Sequence, residues 1–272
     1  MQPPPFTWTS GSVHVEVVAG VALLAGLYAG AWVTHHGRGP GRDPGRCRLR
    51  DGACFTAGLA ALLVALNGPL HDLSDWYLVS AHMVQHLVLT LVVPPCLLAG
   101  TPPWMLDALL RPLWRFRAAR AAVRTLTRPL PAFVVWSAAL VVWHMPAPHS
   151  LGLEVHPWHV VQHLTLLGAA TLGWWPILSR STLAPAIPYA AQLLYIFAFG
   201  MPMTVVAAFI TGAERVLYPF YGAAPRLFGL GVLEDQRLGG VIMWVPAGVI
   251  PLVAFTVVYF RWAAAEAEEP VA

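Results

Sequence analysis

The chain has 272 residues, of which 57% are hydrophobic and only 11% carry a charge. A soluble domain usually has about 25% charged residues. Apolar runs of about 20 residues, the length that crosses a bilayer as a helix, recur along the chain. The composition therefore excludes an ordinary soluble protein and predicts an all-α, polytopic transmembrane helical bundle. Every basic residue is an arginine, and the net charge of only +3 gives no reason to expect a nucleic-acid partner.

The apolar runs predict seven spans within one membrane domain, residues 13–260. An outer tail, residues 1–12, would precede this domain, and a cytoplasmic tail, residues 261–272, would follow it. The N-terminal tail has no basic stretch and no small-residue cleavage site, so we expect an uncleaved tail and not a signal peptide. The predicted spans are 13–33, 55–70, 79–99, 131–147, 158–178, 188–211 and 239–260.

The arginines predict the orientation of the bundle. Thirteen of the sixteen fall on one side of this topology, mainly in the segments 34–54 and 101–130. Because arginine concentrates in cytoplasmic loops, the N-terminus is predicted outside and the C-terminus in the cytoplasm. Nine of the eleven histidines then lie in the outer half or the outer loops: His14, His71, His82, His86, His144, His149, His156, His159 and His163.

One eight-residue motif occurs twice, as HMVQHLVL at 82–89 and HVVQHLTL at 159–166. Residues four apart share one face of a helix, so His82 pairs with His86 and His159 pairs with His163. Each pair begins the returning helix of a predicted hairpin, which suggests a parallel internal repeat about an axis along the membrane normal. Ionisable side chains in a span are costly and typical of functional sites. We therefore predict a metal site at these four histidines, either as one shared site or as two.

Other residues near this level are candidate additions to the site. His144, in the WHMP sequence that ends span four, is a candidate fifth ligand, and Met145 beside it is a candidate supporting residue. His71, His149 and His156 are predicted in outer loops, where they would be transient ligands at most. Packing or lipid contact is the expected role of Met83, Met201 and Met203.

For each of three further polar residues, the sequence is compatible with two roles. Gln85 and Gln162 would either orient an imidazole through a hydrogen bond or hold helices together. Asp235, in the segment DQRLGG, is predicted to cap the last span, and it could also assist a nearby cation.

The residue types favour copper, particularly Cu(I), because imidazole and thioether ligands suit it better than they suit magnesium or calcium. The glutamates of a di-iron carboxylate bundle are missing. Cys47, Cys54 and Cys96 form no C-x-x-C motif, so neither a disulfide nor a thiolate site is expected. The sequence contains no H-E-x-x-H motif or phosphate-binding glycine loop, and nothing in it requires an enzyme.

The ordered motifs resemble the CtaG-like family of cytochrome c oxidase assembly factors, which are associated with caa-type oxidases. They are HMVQHLVL followed by PP and GTP within 82–102, WHMP at 143–146, H-x-x-x-H at 159–163, WWP at 174–176 and DQRLGG-x-IMW at 235–244. The resemblance implies a bacterial plasma-membrane protein that helps to mature a haem–copper oxidase. It also implies functional roles for His82, His86, His144, His159, His163 and Asp235.

Three functions remain open from the sequence. The first is an assembly factor that holds Cu(I) at the outer histidines and passes it to oxidase subunits, with a periplasmic protein as the copper donor. The second is an electron-transfer protein that holds haem between the histidine-bearing helices. The third is a metal-free scaffold for oxidase subunits.

Overall fold

The computed structural model describes residues 6–9, 11–36 and 49–268, and all regular structure within them is helical. Helices are expected because a span must satisfy its own backbone hydrogen bonds in hydrocarbon. Proline occupies one of the first two positions of many of these helices, where its missing N–H costs nothing. The helices are α1 (Val15–His36), α2 (Leu49–Ala65), α3 (Gly68–Trp76), α4 (Val79–Gly100), α5 (Pro103–Trp114), α6 (Arg117–Leu126), α7 (Pro129–His144), α8 (Pro146–Glu154), α9 (His156–Leu178), α10 (Tyr189–Gly212), α11 (Pro219–Gly222) and α12 (Val232–Glu268).

Four of these helices, α1, α4, α10 and α12, are long and apolar enough to cross a membrane by themselves. Two bent pairs, α2 with α3 at 46° and α6 with α7 at 77°, raise the number of candidate spans to six if each pair counts as one. Each of the seven predicted spans overlaps a long helix. The remaining predicted span corresponds to α9, which is not among these six candidates. It has 23 residues, but the polar side chains of the second histidine motif lower its hydropathy. The number of spans and their orientation therefore stay predictions.

Two segments predicted to lie outside the spans, a loop and the C-terminal tail, contain helix in the structure. The segment 101–130 contains α5 and α6, and none of the residues of α6 is buried. Arginines recur along α6, which is typical of a helix that lies at a membrane surface. The last helix runs from Val232 to Glu268 and so continues into the residues predicted as a C-terminal tail. Cys54 and Cys96 are free thiols, and Cys47 lies outside the described residues.

The first hairpin is bent at its turn because Gly68 adopts a left-handed conformation, with φ of 70°. This conformation separates α2 from α3, and the two helices are bent by 46° relative to each other. The second hairpin has the same parts, α7, the short helix α8 and then α9. The repeat is therefore helix, short helix, helix, with α9 packed against α4. The loop placement predicted for His71 and His149 is wrong, since both lie in short helices, α3 and α8.

Helix α4 contains a π-helical turn at Val88–Val92, just after its two histidines. Pro94 and Pro95 follow it and cannot donate the backbone hydrogen bonds that a regular helix needs. The carbonyl of Thr90, which faces Pro94 in the helical pattern, accepts a hydrogen bond from Trp174 Nε1 at 2.9 Å instead. This bond joins α9 to α4 and helps fix the two histidine-bearing helices in register.

The main core lies among α4, α7, α9, α10 and α12, around Trp136, Trp174 and Phe199. Close packing depends on small residues: a side chain at Gly173 would lie 2.8 Å from the Phe199 ring. By contrast, α1 presents exposed leucines such as Leu23 and Leu27 on its outer faces, as expected for a helix that contacts lipid.

Candidate metal centre

The first histidine pair lies on α4 with its two Nε2 atoms only 2.9 Å apart. Bonds from a metal to imidazole are about 2.0–2.1 Å long, so two ligands of one ion lie about 2.9–3.4 Å apart. The other nitrogen of His82, Nδ1, lies 3.0 Å from Tyr221 Oη and 3.3 Å from the Ser74 carbonyl. Tyr221 donates its own proton to that carbonyl at 2.5 Å. His82 Nδ1 is therefore the donor to the Tyr221 oxygen, which leaves the Nε2 lone pair directed at His86.

The second histidine pair, on α9, faces the first. The ring centroids of His82 and His159 are 5.9 Å apart, and those of His86 and His163 are 5.7 Å apart. Within α9 the two rings are 4.2 Å apart. The two copies of the motif therefore meet in one shared cluster. Nothing in the spacing of the motif alone could have decided this, since it depends on the packing of α9 against α4.

A carboxylate supports the second pair. Asp75 Oδ2 on α3 lies 3.4 Å from His159 Nδ1 and 3.3 Å from His71 Nε2. Because a carboxylate accepts, both ring nitrogens act as donors to it. The Nε2 atom of His159 is buried with no hydrogen-bond partner. A histidine that donates one N–H to a carboxylate and presents the other nitrogen is a common arrangement at metal sites.

His71 is a supporting residue and not a candidate ligand, because both its nitrogens are already used. Its Nε2 donates to Asp75, and its Nδ1 accepts from Gln85 Nε2 at 2.8 Å. Gln85 donates its second amide hydrogen to the Ala65 carbonyl at 2.7 Å. The orienting role considered for Gln85 is thus visible, although the imidazole that it holds is that of His71, on α3.

His144 and His149 complete the cluster from the second hairpin. His144 Nδ1 donates to the Leu140 carbonyl at 2.7 Å, and its Nε2 lies 3.4 Å from His86 Nδ1. His149 Nδ1 donates to the Trp143 carbonyl at 3.3 Å, and its buried Nε2 has no partner. Burial lowers the pKa of His149 to about 3, so its imidazole is neutral at physiological pH and has a free lone pair.

Six histidines thus converge, and we call them the histidine cluster: His82, His86, His144, His149, His159 and His163. All six are buried, and three of them (His149, His159 and His163) have an Nε2 atom with no hydrogen-bond partner. Potential ligand atoms of His82, His86 and His163 lie within 4.8 Å of one another, as do those of Asp75, His82 and His159. Unpaired buried nitrogens are costly unless a further group binds them. The donor set fits a metal ion that prefers imidazole.

Sequence reasoning found five members of the cluster and underrated the sixth, His149. A signal was available, because His71 and His149 both follow shortly after a proline in the turn of a hairpin, in line with the repeat. Neither Asp75 nor Tyr221 was predicted as a site residue, although Asp75 is one of the few carboxylates near the outer histidines, because neither belongs to a repeated motif. His156 is exposed at the start of α9 and lies outside the cluster.

Two other residues predicted to support the site, Gln162 and Met145, differ in burial. Gln162 is fully buried, but neither of its amide atoms has a partner, and it packs against Gly152. Met145 is 52% exposed and is not buried with the histidines, so the support expected from its thioether stays a prediction. Exposure follows because Met145 links α7 to α8 in an extended conformation.

Asp235 is a helix cap, although for a different helix from the one predicted. It lies inside the first turn of α12, where its backbone is already helical. Its carboxylate accepts hydrogen bonds from the Val79 amide at 2.7 Å, the Ser80 amide at 3.2 Å and the Ser80 hydroxyl at 2.5 Å. These amides begin α4, so Asp235 satisfies the N-terminus of the helix that carries the first pair. The role considered for Asp235 beside a cation stays a prediction.

Comparison with known proteins gives the same family that the sequence motifs resemble. The family model described as cytochrome c oxidase caa3 assembly factor (Caa3_CtaG) matches residues 26–265. An uncharacterized protein of Mycobacterium bovis and one of Mycobacterium tuberculosis are each 24% identical over 258 residues, which is 90% of this chain and 38% of theirs. The chain therefore spans about two-fifths of the length of these relatives. No solved structure matches. Since the family match covers most of the chain, this protein belongs to the Caa3_CtaG family of cytochrome c oxidase caa3 assembly factors.

Proposed function

We propose that this protein holds copper at the histidine cluster and passes it to a subunit of a haem–copper cytochrome c oxidase during assembly. The observation that carries the proposal is the convergence of six buried histidines, three of which have an Nε2 atom without a partner. Imidazole binds copper well, and the adjoining carboxylate of Asp75 orients one ligand. The protein acts without turnover chemistry, as its family of assembly factors suggests.

The location of the cluster supports delivery on the outer side of a bacterial plasma membrane. The histidines begin α4 and α9, whereas the opposite ends of these helices border a cleft lined by Arg50, Arg180 and Arg261. Under the positive-inside rule the arginine end is cytoplasmic and the histidine end is outer. A periplasmic copper donor would then supply the cluster, and oxidase subunits would receive the metal within the same bilayer.

The packing of the rings supports copper over haem. The histidines on facing helices have centroid separations of 5.7 and 5.9 Å, and His149 lies 4.7 Å from His82. A porphyrin between two axial histidines needs an open slot that is wider than an imidazole on every side. Further histidines such as His149 fill the space between α4 and α9 that a macrocycle would need.

The test compares wild type with the variant His82→Ala/His86→Ala/His159→Ala/His163→Ala, purified in detergent and loaded with Cu(I). Wild type is expected to bind copper, and the variant to lose most of it. His156→Ala is the matched control, because His156 lies on α9 but is exposed, and it should bind as wild type does. Equal copper content in wild type and the quadruple variant would overturn the proposal.

Complementation separates copper delivery from a scaffold. In a strain that lacks the protein, wild type and His156→Ala should restore oxidase activity and its copper content, and the quadruple variant should not. If the quadruple variant restores both while it remains in the membrane at the wild-type level, the histidines serve structure alone. An absorption spectrum of the purified protein with a Soret band would favour haem instead.

A further inference from the structure

A small cavity lies next to the histidine cluster and has a different lining. Three methionine side chains from three helices line it: Met83 of α4, Met203 of α10 and Met243 of α12. The remaining polar lining includes His86 and His144. We call this space the methionine cavity, and Leu87, Thr90 and Leu140 complete its lining.

The three methionines are the most deeply buried of those that the structure describes. Met83, Met203 and Met243 are 0%, 3% and 2% exposed, whereas Met105 is 7%, Met145 52% and Met201 53% exposed. The sequence alone predicts packing or lipid contact for Met83 and Met203, since Met83 lies on a different face of α4 from His82. What brings the thioethers together is the packing of α4 and α10 against α12, where Gly239 lies close to Met83.

We propose that the methionine cavity is a second, deeper binding site for Cu(I), which shares His86 and His144 with the histidine cluster. This inference rests on the copper-holding function proposed above. His144 lies between the two sites, since its Nδ1 donates to the Leu140 carbonyl and its Nε2 lone pair faces His86 Nδ1 at 3.4 Å. His86 Nδ1 points at that same nitrogen, so both imidazoles border the cavity.

The chemistry of the lining selects the ion. Thioether sulfur is a soft, neutral ligand that binds Cu(I) well and binds Zn²⁺ or Mg²⁺ poorly. Imidazole nitrogens alone would accept Zn²⁺ or Cu²⁺ as readily as Cu(I). The methionine cavity thus gives a histidine-rich protein a preference for the monovalent ion.

Geometry also gives the cavity a place in transfer. Two of its eight lining residues belong to the histidine cluster, so an ion can exchange thioether for imidazole ligands without leaving the protein. Neutral sulfur ligands hold the ion without adding charge to the core. An ion that enters at the cluster would pass through His86 and His144 to reach the methionines.

The test uses X-ray absorption at the copper edge on full-length protein loaded with Cu(I). Wild type is expected to show a copper–sulfur shell as well as copper–nitrogen scattering. Met83→Leu/Met203→Leu/Met243→Leu replaces each thioether with a side chain of similar volume, and it should lose the sulfur shell. Its Cu(I) affinity should fall by about tenfold or more, while its Zn²⁺ affinity stays unchanged. Met201→Leu, on α10 but exposed, is the matched control and should keep the sulfur shell.

Two outcomes distinguish this site from the histidine cluster. Bound copper with nitrogen ligands alone, in wild type as in the triple leucine variant, overturns the methionine site and leaves the proposed function standing. A sulfur shell that persists in His82→Ala/His159→Ala/His163→Ala supports the methionine site even if those three histidines prove dispensable. Thermal unfolding of the triple leucine variant near the wild-type temperature would show that its losses are local.

Discussion

Asp75 offers a sharp test of how the histidine cluster is built. Its Oδ2 atom receives the N–H groups of His71 and His159 at 3.3 and 3.4 Å, and its side chain is 18% exposed. Asp75→Asn keeps the shape of the side chain but removes the negative charge. His159 would then lose the partner that fixes its tautomer and presents its Nε2 atom to the cluster.

The expected effect is about a tenfold loss of copper affinity, or about 1.4 kcal/mol. Substitutions of such supporting groups usually cost about 10- to 100-fold. The lower end applies here because the two contacts are longer than the usual charge-assisted hydrogen bond of about 2.7–2.9 Å. Partial exposure of Asp75 weakens the interaction further.

Competition with a Cu(I) chelator would measure the affinity of wild type and variant at one pH and ionic strength. Asp72→Asn is the matched control, because Asp72 lies on the same helix and accepts a hydrogen bond from the Ser12 amide at 3.0 Å. We expect it to leave copper affinity unchanged. If Asp75→Asn binds copper as tightly as wild type while His159→Ala binds it weakly, the orienting role of Asp75 is wrong.

Two further predictions concern the stability of the bundle. Gly240→Ala should cost about 1–3 kcal/mol, because the new methyl group would lie 2.7 Å from the backbone nitrogen of Thr211. Gly248→Ala, on the same helix but beside open space, should change stability by less than about 1 kcal/mol, and equal shifts in thermal unfolding would refute this reasoning. Burial alone would raise the pKa of Asp107, but hydrogen bonds, first among them the one from the Ser181 hydroxyl at 2.5 Å, hold that pKa below its usual value. A carboxyl whose folded pKa is lowered stabilises the fold above its unfolded pKa, and this contribution is lost as the pH falls through the folded pKa. Asp107→Asn should therefore reduce the loss of stability on acidification, and an unchanged acid-unfolding profile would contradict the prediction.

The α4 helix illustrates how much of the site was predictable. The i, i+4 spacing correctly predicts that His82 and His86 share a face, since helix geometry is local. The duplication correctly indicates equivalent positions on two helices. Whether these positions face each other depends on the packing of α9 against α4, to which the hydrogen bond from Trp174 to the Thr90 carbonyl contributes. This bond forms because Pro94 has no N–H to donate to the Thr90 carbonyl, and no sequence motif predicts that Trp174 would replace it.

Asp235 shows why roles are harder to predict than positions. An aspartate before an apolar run is typical of a cap for the helix that follows, and the sequence gives no sign of a different acceptor. The structure places it beside the first amides of α4, which are 155 and 156 residues away in the chain. Capping depends on which N-terminus is nearest in space, and only the tertiary fold sets that distance.

The sequence by itself determined that this is a helical membrane protein with two histidine pairs at matched positions, and its motifs identified the family. Those properties follow from composition, helical periodicity and the order of the motifs along the chain. Only the tertiary structure decided that the pairs form one cluster, that His149 joins it, and that Asp75 and Tyr221 orient two of its imidazoles. It also brought Met83, Met203 and Met243 together. These contacts join residues on different helices, and helix packing, which no local pattern encodes, selects which faces meet.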